Sequence, residues 1–504
     1  MKYVSVFLLF LFSLFTNCYS QNRDNIWQLG YFTFNSAPKC GVDFNSGNAT
    51  SFSLIRPMSF FITNASICDT NGQLLFYTNG IYVANRNHDT LQNGSDFNPG
   101  YITNLNASDG LAVSQGCIIL PYPDSNNKYV IIHESGEEFM AHNQTQDQPL
   151  NLSYSIVDMN LDGGLGGIDS SKKSIHLIND TLVLGRITAC KHANGRDWWI
   201  VVQRFYSNIY YKFLLTPYGF SAPYSQQIGD SINYDALGTS VFSPDGNMYA
   251  TVSYDNTLNI FHFDRCTGNF YDSTFIQVPN PTPGQPDNEP FSCAFSPNSR
   301  FLYVVEYTRI IQYDVTVPNI AATQTYVAQW DSFTAPFNTY FFLSQLAPDG
   351  RIYISTYGGD SLMHYIEYPD SQGIACNVVQ NNFFFVDYNA SIPNFPNYNL
   401  GADTTSILCD SLSVGITSIT LSKGELKIFY HPIWQTAFIN ASNLQGKNYT
   451  LNIFDITGKQ LFSEQGKLSS PYFIKDFHCN FANGIYIISL STEKENLKGK
   501  FVKN

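Results

Sequence analysis

Short apolar runs recur along this chain, and each is introduced by a cluster of turn-forming polar residues. Asp69-Thr70-Asn71-Gly72 precedes the run at 74–77, and Pro123-Asp124-Ser125-Asn126 precedes 129–132. Asn194-Gly195 precedes 198–202, and Ser243-Pro244-Asp245-Gly246 precedes 248–252. Ser296-Pro297-Asn298-Ser299 precedes 301–305, and Ala347-Pro348-Asp349-Gly350 precedes 352–354. Pro and Asp preset such a turn, Gly takes the positive φ, and the chain leaves as a strand toward the core. Within a unit the pattern repeats. Residues 248–253 read as one strand, Asp255-Asn256 turns it, and 258–264 returns; 301–306 and 310–314 do the same, again ending in Asp.

Gly72, Asn126, Gly195, Gly246, Ser299 and Gly350 are spaced by about 54, 69, 51, 53 and 51 residues, a period that fits the blade of a β-propeller. The competing β-helix has a much shorter period. Six units are visible. A seventh would combine a strand near 27–34 with strands after Ser355 and so close the ring, protecting sheet edges. The predicted fold is all-β, with a seven-bladed propeller over residues 21–410. A linker at 411–422 and a smaller domain at 423–504 follow.

Composition supports this reading. A chain of 504 residues is too long for one ordinary domain. Aromatics reach 15%, with 33 Tyr and 40 Phe, residues that suit half-buried pleated surfaces. The net charge of −13 disfavours phosphate backbones and anionic headgroups, so no nucleic-acid partner is expected.

Lys2, the apolar run at 4–15 and the small residues of Cys18-Tyr19-Ser20 read as a secretory signal peptide over 1–20, cut after Ser20. Lipidation at Cys18 would want a small residue before it, where Asn17 stands. No other stretch approaches the ~18 apolar residues of a spanning helix, so no transmembrane segment is expected in the mature chain. Ten cysteines less Cys18 leave nine, an odd number for an oxidising compartment. None forms a C-x-x-C pair, which argues against zinc or thioredoxin-like chemistry. Cys376 and Cys409 flank the end of the repeat body and are the expected disulfide.

Beyond Cys409 the period stops. Short strands are predicted at 426–430, 437–439, 449–455, 460–463, 472–477 and 485–490, the pattern of a small immunoglobulin-like β-sandwich.

Here two resemblances become usable. Gly41-Val42-Asp43-Phe44-Asn45-Ser46-Gly47, Leu75-Phe76-Tyr77-Thr78-Asn79-Gly80, Asp162-Gly163-Gly164-Leu165-Gly166 and Ile392-Pro393-Asn394-Phe395 resemble exported, WD-repeat-like Bacteroidetes propellers. That resemblance implies fold and export and brings no catalytic residues. Asp455-Ile456-Thr457-Gly458-Lys459, Gly484-Ile485-Tyr486 and the basic tail at 498–503 are similar to the type A C-terminal sorting domain of the type IX secretion system. The resemblance implies sorting-motif roles for Asp455, Gly458, Lys459, Gly484 and Tyr486, and the secretion machinery as a partner. The family's usual opening P-N-P is here His431-Pro432-Ile433.

Several constellations could carry chemistry. Asp158-Met159-Asn160-Leu161-Asp162-Gly163 fits the alternating oxygen pattern of a calcium loop, with Asp169 at the twelfth position. Turn chemistry explains the same Asp and Gly residues without a metal, and no flanking helices are predicted. No cofactor is therefore expected, with calcium at Asp158, Asn160, Asp162 and Asp169 as the one candidate. His133, Glu134, Glu137, Glu138 and His142 cluster without metalloprotease spacing and read as a solvated blade edge. Lys191, His192, Arg196 and Asp197 flank a turn beside Trp198 and Trp199; a solvated tip with one core Trp is expected. The triplets Asp89-Thr90-Leu91, Asp180-Thr181-Leu182, Asp360-Ser361-Leu362 and Asp410-Ser411-Leu412 look like Bacteroidetes O-glycosylation acceptors.

The expected function is a secreted or cell-surface binding protein that uses the propeller face or rim to hold a glycan or protein, its catalytic residues, if any, unidentified. The rivals are an extracellular lyase, lactonase or glycosidase with its site in the central channel, and a structural envelope component.

Overall fold

The computed structural model describes residues 21–31, 38–141, 144–231, 237–279, 289–403, 425–431, 436–442, 444, 446, 448–468, 473–494 and 496–503. The signal-peptide segment, His142, Cys409, Asp410, the linker at 411–422 and Pro432-Ile433 lie outside them. The chain divides into two compact units that part between Ser413 and Val414.

Among the described residues, the first unit holds seven antiparallel sheets in chain order and one separate hairpin. The first sheet is Ile26–Leu29, Pro38–Asp43 and Thr50–Ile55; the second is Ala65–Cys68, Leu74–Thr78 and Val83–Asn85. The third comprises Cys117–Pro121, Lys128–His133 and Asn151–Asp158, extended by Gly167–Ile168 and Ile175–Asn179. The fourth comprises Thr188–Lys191, Trp198–Gln203 and Ile209–Thr216, extended by Gly219–Phe220 and Tyr224–Gln227. Four strands each make the fifth (Ser240–Phe242, Met248–Ser253, Thr257–Asp264, Asn269–Gln277), the sixth (Pro290–Phe295, Phe301–Glu306, Arg309–Asp314, Thr325–Gln329) and the seventh (Phe341–Leu346, Ile352–Thr356, Asp360–Ile366, Val378–Asn389).

The first strands of the first three sheets pack beside one another in succession, as do those of the fourth to seventh, and the last strand of the seventh sheet returns to pack on the first sheet. This radial succession is a β-propeller. Its second strands, such as Trp198–Gln203, Met248–Ser253 and Phe301–Glu306, are buried along their whole length, because neighbouring sheets cover both of their faces. The outermost strand Asn269–Gln277 is mostly exposed. Each recurring turn is held by its own side chains. Ser243 Oγ accepts from the Met248 amide and Asp245 accepts from Asn247, while Gly246 sits at φ +75°. Ser296 repeats the role toward Phe301.

Closure differs from the sequence expectation. The three N-terminal strands make a sheet of their own, and the last strand of the seventh sheet packs against it. The Tyr31 amide donates to Tyr388 O (2.6 Å), Gly30 N donates to Asn389 Oδ1 (3.3 Å), and Lys39 Nζ lies 3.7 Å from Asp387 Oδ2 in a buried ion pair. Residues 390–403 join no sheet and run down the middle of the ring.

Among the described residues the second unit has two sheets, one of Glu425–His431, Thr436–Ser442 and Phe473–His478, the other of Gln460–Lys467, Asn448–Asp455, Gly484–Thr492 and Asn496–Lys503. Ala437, Ile439, Leu451, Ile453, Ile488 and Leu490 form its core. Lys503 Nζ donates to the carbonyls of Cys479 (2.7 Å) and Phe481 (2.6 Å), pinning the final strand. No helix among the described residues is long and apolar enough to cross a membrane.

Candidate functional site

The middle of the ring is occupied by the chain itself. Ser355 Oγ donates to Ala390 O (2.8 Å), and the Asn394 amide donates to Asn64 O (2.9 Å). Asn394 Nδ2 donates to both Cys117 O (3.0 Å) and Ile187 O (2.9 Å), joining the third sheet to the fourth. Tyr398 Oη donates to Ile119 O (2.7 Å), and Asn397 Nδ2 to Pro244 O (2.7 Å). The segment thus enters beside the turn that follows Ile352–Thr356 and leaves beside the Ser-Pro turns. Its Asn side chains satisfy inner-strand carbonyls that face the axis.

At the end where it enters, aromatic rings gather. Tyr254, Tyr307 and Tyr357 each follow directly on the second strand of the fifth, sixth and seventh sheets. Because the three sheets are consecutive, equivalent turns bring these tyrosines together around Phe291. Tyr254, Tyr307 and Tyr357 lie 6.0, 5.7 and 5.3 Å from the Phe291 ring centroid. Tyr340 stacks on Tyr307 at 4.1 Å, and Trp330 packs on Tyr340 at 4.4 Å. Tyr357 is 45% exposed, and Tyr254, Tyr307, Trp330 and Tyr340 are half-buried. Burial, with Tyr340, Tyr357 and Tyr254 around it, pushes the Tyr307 phenol up to about 12, so it stays a neutral donor. Such a surface offers ring faces for stacking with hydroxyls at their edges, a combination suited to the apolar faces and equatorial hydroxyls of sugars.

Beside it lies Glu306, the last residue of its strand and fully buried. Its Oε2 accepts from Arg309 Nε (2.7 Å), its Oε1 has no hydrogen-bond partner among the described residues, and burial raises its carboxyl to about 8.

The residues singled out from the sequence fall elsewhere. Asp158 Oδ1 accepts from the Asn160 amide (2.9 Å), and Asp169 Oδ1 accepts from the Ser171 amide (2.9 Å) and hydroxyl (2.8 Å). Asn160 Oδ1 accepts from Asn127, and Asp162 opens a short 3-10 turn at φ +48°. Their oxygens therefore hold turns. Among the described residues no three His, Cys, Asp or Glu side chains gather as a metal would require.

The expected solvated edge at His133 and Glu134 is corrected: both are fully buried. Asn98 donates through Nδ2 to Gly80 O and Glu134 O, so its Oδ1 must accept from His133 Nδ1 (3.0 Å). Ser155 Oγ completes the ring's partners at Nε2, and burial holds the imidazole neutral, down at about 3. Glu134 Oε1 accepts from the Gly185 amide, and Glu137 from the Tyr101 amide (3.2 Å). Glu138 lies in the hairpin of Gly136–Ala141 and Gln144–Pro149.

The expectation of one core Trp at the Asn194-Gly195 turn is corrected too. Trp198 and Trp199 are both buried, because the two faces of their strand meet different cores. Trp199 Nε1 donates to Arg265 O (2.8 Å). Lys191, His192 and Asp197 are buried as well, and Arg196 bridges Asp197 and Asp124 at the surface.

Cys376 does not form the expected disulfide. It is a free thiol buried against Ile352, Ile354 and Ile366, whereas Cys266 is disulfide-bonded. Of the Asp-Ser/Thr triplets, Thr90 is exposed, and Thr181 and Ser361 are half-buried.

In the second unit, Asp455 Oδ1 accepts from the amides of Thr457 (2.9 Å) and Lys459 (3.0 Å), with Gly458 at φ +84°. Gly484 opens its strand, and Tyr486 is a core residue whose hydroxyl donates to Ala482 O.

The aromatic face had a sequence signal of its own. A tyrosine follows the second strand of three consecutive repeats, at intervals of 53 and 50 positions, the repeat period itself.

Among solved structures, the chain is similar to a functionally unknown protein from Desulfotomaculum acetoxidans at 12% identity and a TM-score of 0.36, over 73% of this chain and 99% of that one. It is also similar to a periplasmic gluconolactonase from Pseudomonas aeruginosa (9% identity, TM-score 0.39, 73% and 97% coverage). A protein from Lactobacillus plantarum aligns at 10% identity and a TM-score of 0.34, over 90% of this chain and 99% of that one. No curated protein matches. Residues 427–504 match the family model of the secretion system C-terminal sorting domain, so the chain carries a type IX sorting signal and is exported, secreted or held at the outer cell surface.

Proposed function

We propose that this exported protein is a carbohydrate-binding propeller of seven blades, and that its aromatic face holds an extended glycan at the cell surface or in the medium. The observation that carries the reading is the placement of Tyr254, Tyr307 and Tyr357 at equivalent turns of three consecutive sheets, converging on Phe291. Chance surface aromatics would have no reason to share a structural position. Trp330 and Tyr340 lengthen the platform beyond a single sugar ring. A reaction centre in the channel is less well supported, since Asn394, Asn397 and Tyr398 take up the inner carbonyls there. The C-terminal unit, in this reading an immunoglobulin-like sandwich, serves passage across the outer membrane and is afterwards removed or used for attachment.

The test is binding of the full mature chain to a panel of immobilised polysaccharides. Saturable, selective retention with the ligand recovered intact supports the reading. Retention with depolymerisation supports a glycosidase or lyase. Absence of retention across the panel would overturn it.

A further inference from the structure

At the opposite end of the ring, where the axial segment leaves, a cavity of about 290 Å³ opens between the fourth, fifth, sixth and seventh sheets. Its walls come from the repeat itself. Pro244, Pro297 and Pro348, the prolines of three successive turns, line it together with Phe242, Phe295 and Phe395. Part of its polar lining is engaged internally. Gln115 Nε2 donates to Ser240 O (3.0 Å) and Asn394 Oδ1 (3.2 Å), and Asn397 Nδ2 reaches Pro244 O.

One ionisable side chain is among the lining residues, Asp24, which precedes the first strand. Among the described residues no side chain is seen hydrogen-bonded to its carboxylate, and the residue is half-buried, open to the cavity. Its neighbour Arg23 turns away, with Nη1 donating to Tyr129 Oη (3.2 Å) and the guanidinium over the Tyr129 ring. A half-buried carboxylate on the wall of a cavity that mixes apolar rings with polar groups is better stabilised by a positive partner than by the wall alone. We infer that this axial well binds an organic cation, an ammonium or guanidinium on a short alkyl stem, with the stem against the prolines and phenylalanines and the charge on Asp24. The volume suits one such group, near the small end of ligand pockets. Rings on the wall add a cation–π attraction that a neutral stem lacks. The site is separate from the aromatic face, and its failure would leave the glycan reading untouched.

The cation can be a free amine or an arginine side chain offered by a protein partner. Titration calorimetry of the full mature chain with agmatine tests the chemistry, with 1-pentanol as the uncharged control. Saturable agmatine binding, no measurable pentanol binding, and at least a tenfold loss in Asp24→Asn are expected. Affinity should also fall on going from pH 7.5 to 5, because burial raises the Asp24 carboxyl to about 6. Tyr398 and Cys68, the titratable groups that face it, have phenol and thiol values pushed upward and stay neutral throughout. Pro348→Arg, at an exposed turn position outside the core, should compete in place and weaken agmatine binding even if Asp24→Asn does not fold. A capped Gly-Arg-Gly peptide that binds at least tenfold more tightly than agmatine indicates a protein partner; equal or weaker binding indicates a free amine. No agmatine binding by the unaltered protein, or affinity unchanged in both variants, would overturn the inference.

Discussion

The ring is closed by an ion pair that water does not reach, and this makes closure testable. Lys39, on the second strand of the first sheet, has a side chain 0% exposed, and Asp387, on the last strand of the seventh, 7%. Asp387→Leu would remove the carboxylate that faces the buried Lys39 ammonium. Breaking a buried pair from one side costs about 3–5 kcal/mol, whereas replacing both partners by apolar groups of similar volume is often neutral. Lys39→Met with Asp387→Leu should therefore recover most of what Asp387→Leu loses. The assay is urea unfolding of the full mature chain, followed by tryptophan fluorescence, since Trp27 lies in the first sheet. The expected result is a midpoint that drops in the single variant and returns in the double. A single variant within about 0.5 kcal/mol of the unaltered protein, the usual range for surface substitutions, would refute the claim that this pair fastens the ring.

Three further outcomes follow from the same structure. Lys212 is fully buried over the rings of Tyr224 and Phe270, and burial lowers it from 10.5 to about 7. The unfolded chain then binds the proton more tightly than the folded one between those values, so this lysine's cost is absent above pH 11 and grows as pH falls toward 7. Lys212→Met, which also loses the contact to Gln226, should stabilise by about 1–3 kcal/mol at pH 7 and by nothing above pH 11; equal melting curves at both pH values would contradict this. Peptide mapping under non-reducing conditions should find Cys266 in a disulfide and Cys376 as a thiol that reacts only after unfolding; rapid alkylation of native Cys376 would be inconsistent with its burial. Deleting residues 421–504 should strand the protein in the periplasm, and normal surface delivery of the shortened chain would rule out the sorting role.

The blade framework was legible because it is local. Ser-Pro-Asp-Gly turns carry their own hydrogen bonds, as Ser243 and Asp245 do, and the following strand needs no distant partner to be recognised. Continuous apolar runs such as 301–305 likewise announce burial on both faces. Long-range decisions were not legible. Asn394 meets Cys117 and Ile187 across more than 200 positions, and an Asn in a Pro-rich stretch reads as a loop until its carbonyl partners are known. His133 and Glu134 looked solvated because charge usually is, yet Asn98 and Gly185 supply the partners that let them be buried. The Cys376 expectation failed for the same reason: position along the chain says little about which thiols meet. The aromatic face stands between these cases, since the repeated tyrosine was present in the sequence and only the ring arrangement gives the repetition meaning.

The most direct test of the account is to titrate the polysaccharide best retained by the full chain against Tyr307→Ala, Tyr357→Ala and the exposed control Tyr218→Ala, which lies in a turn of the fourth sheet. A stacked aromatic contributes about 0.5–1.5 kcal/mol beyond its buried area, or roughly two- to tenfold in affinity. The account predicts losses of that size or larger for Tyr307→Ala and Tyr357→Ala, and none for Tyr218→Ala. Unchanged affinity in both face variants, with their folds intact, would contradict it.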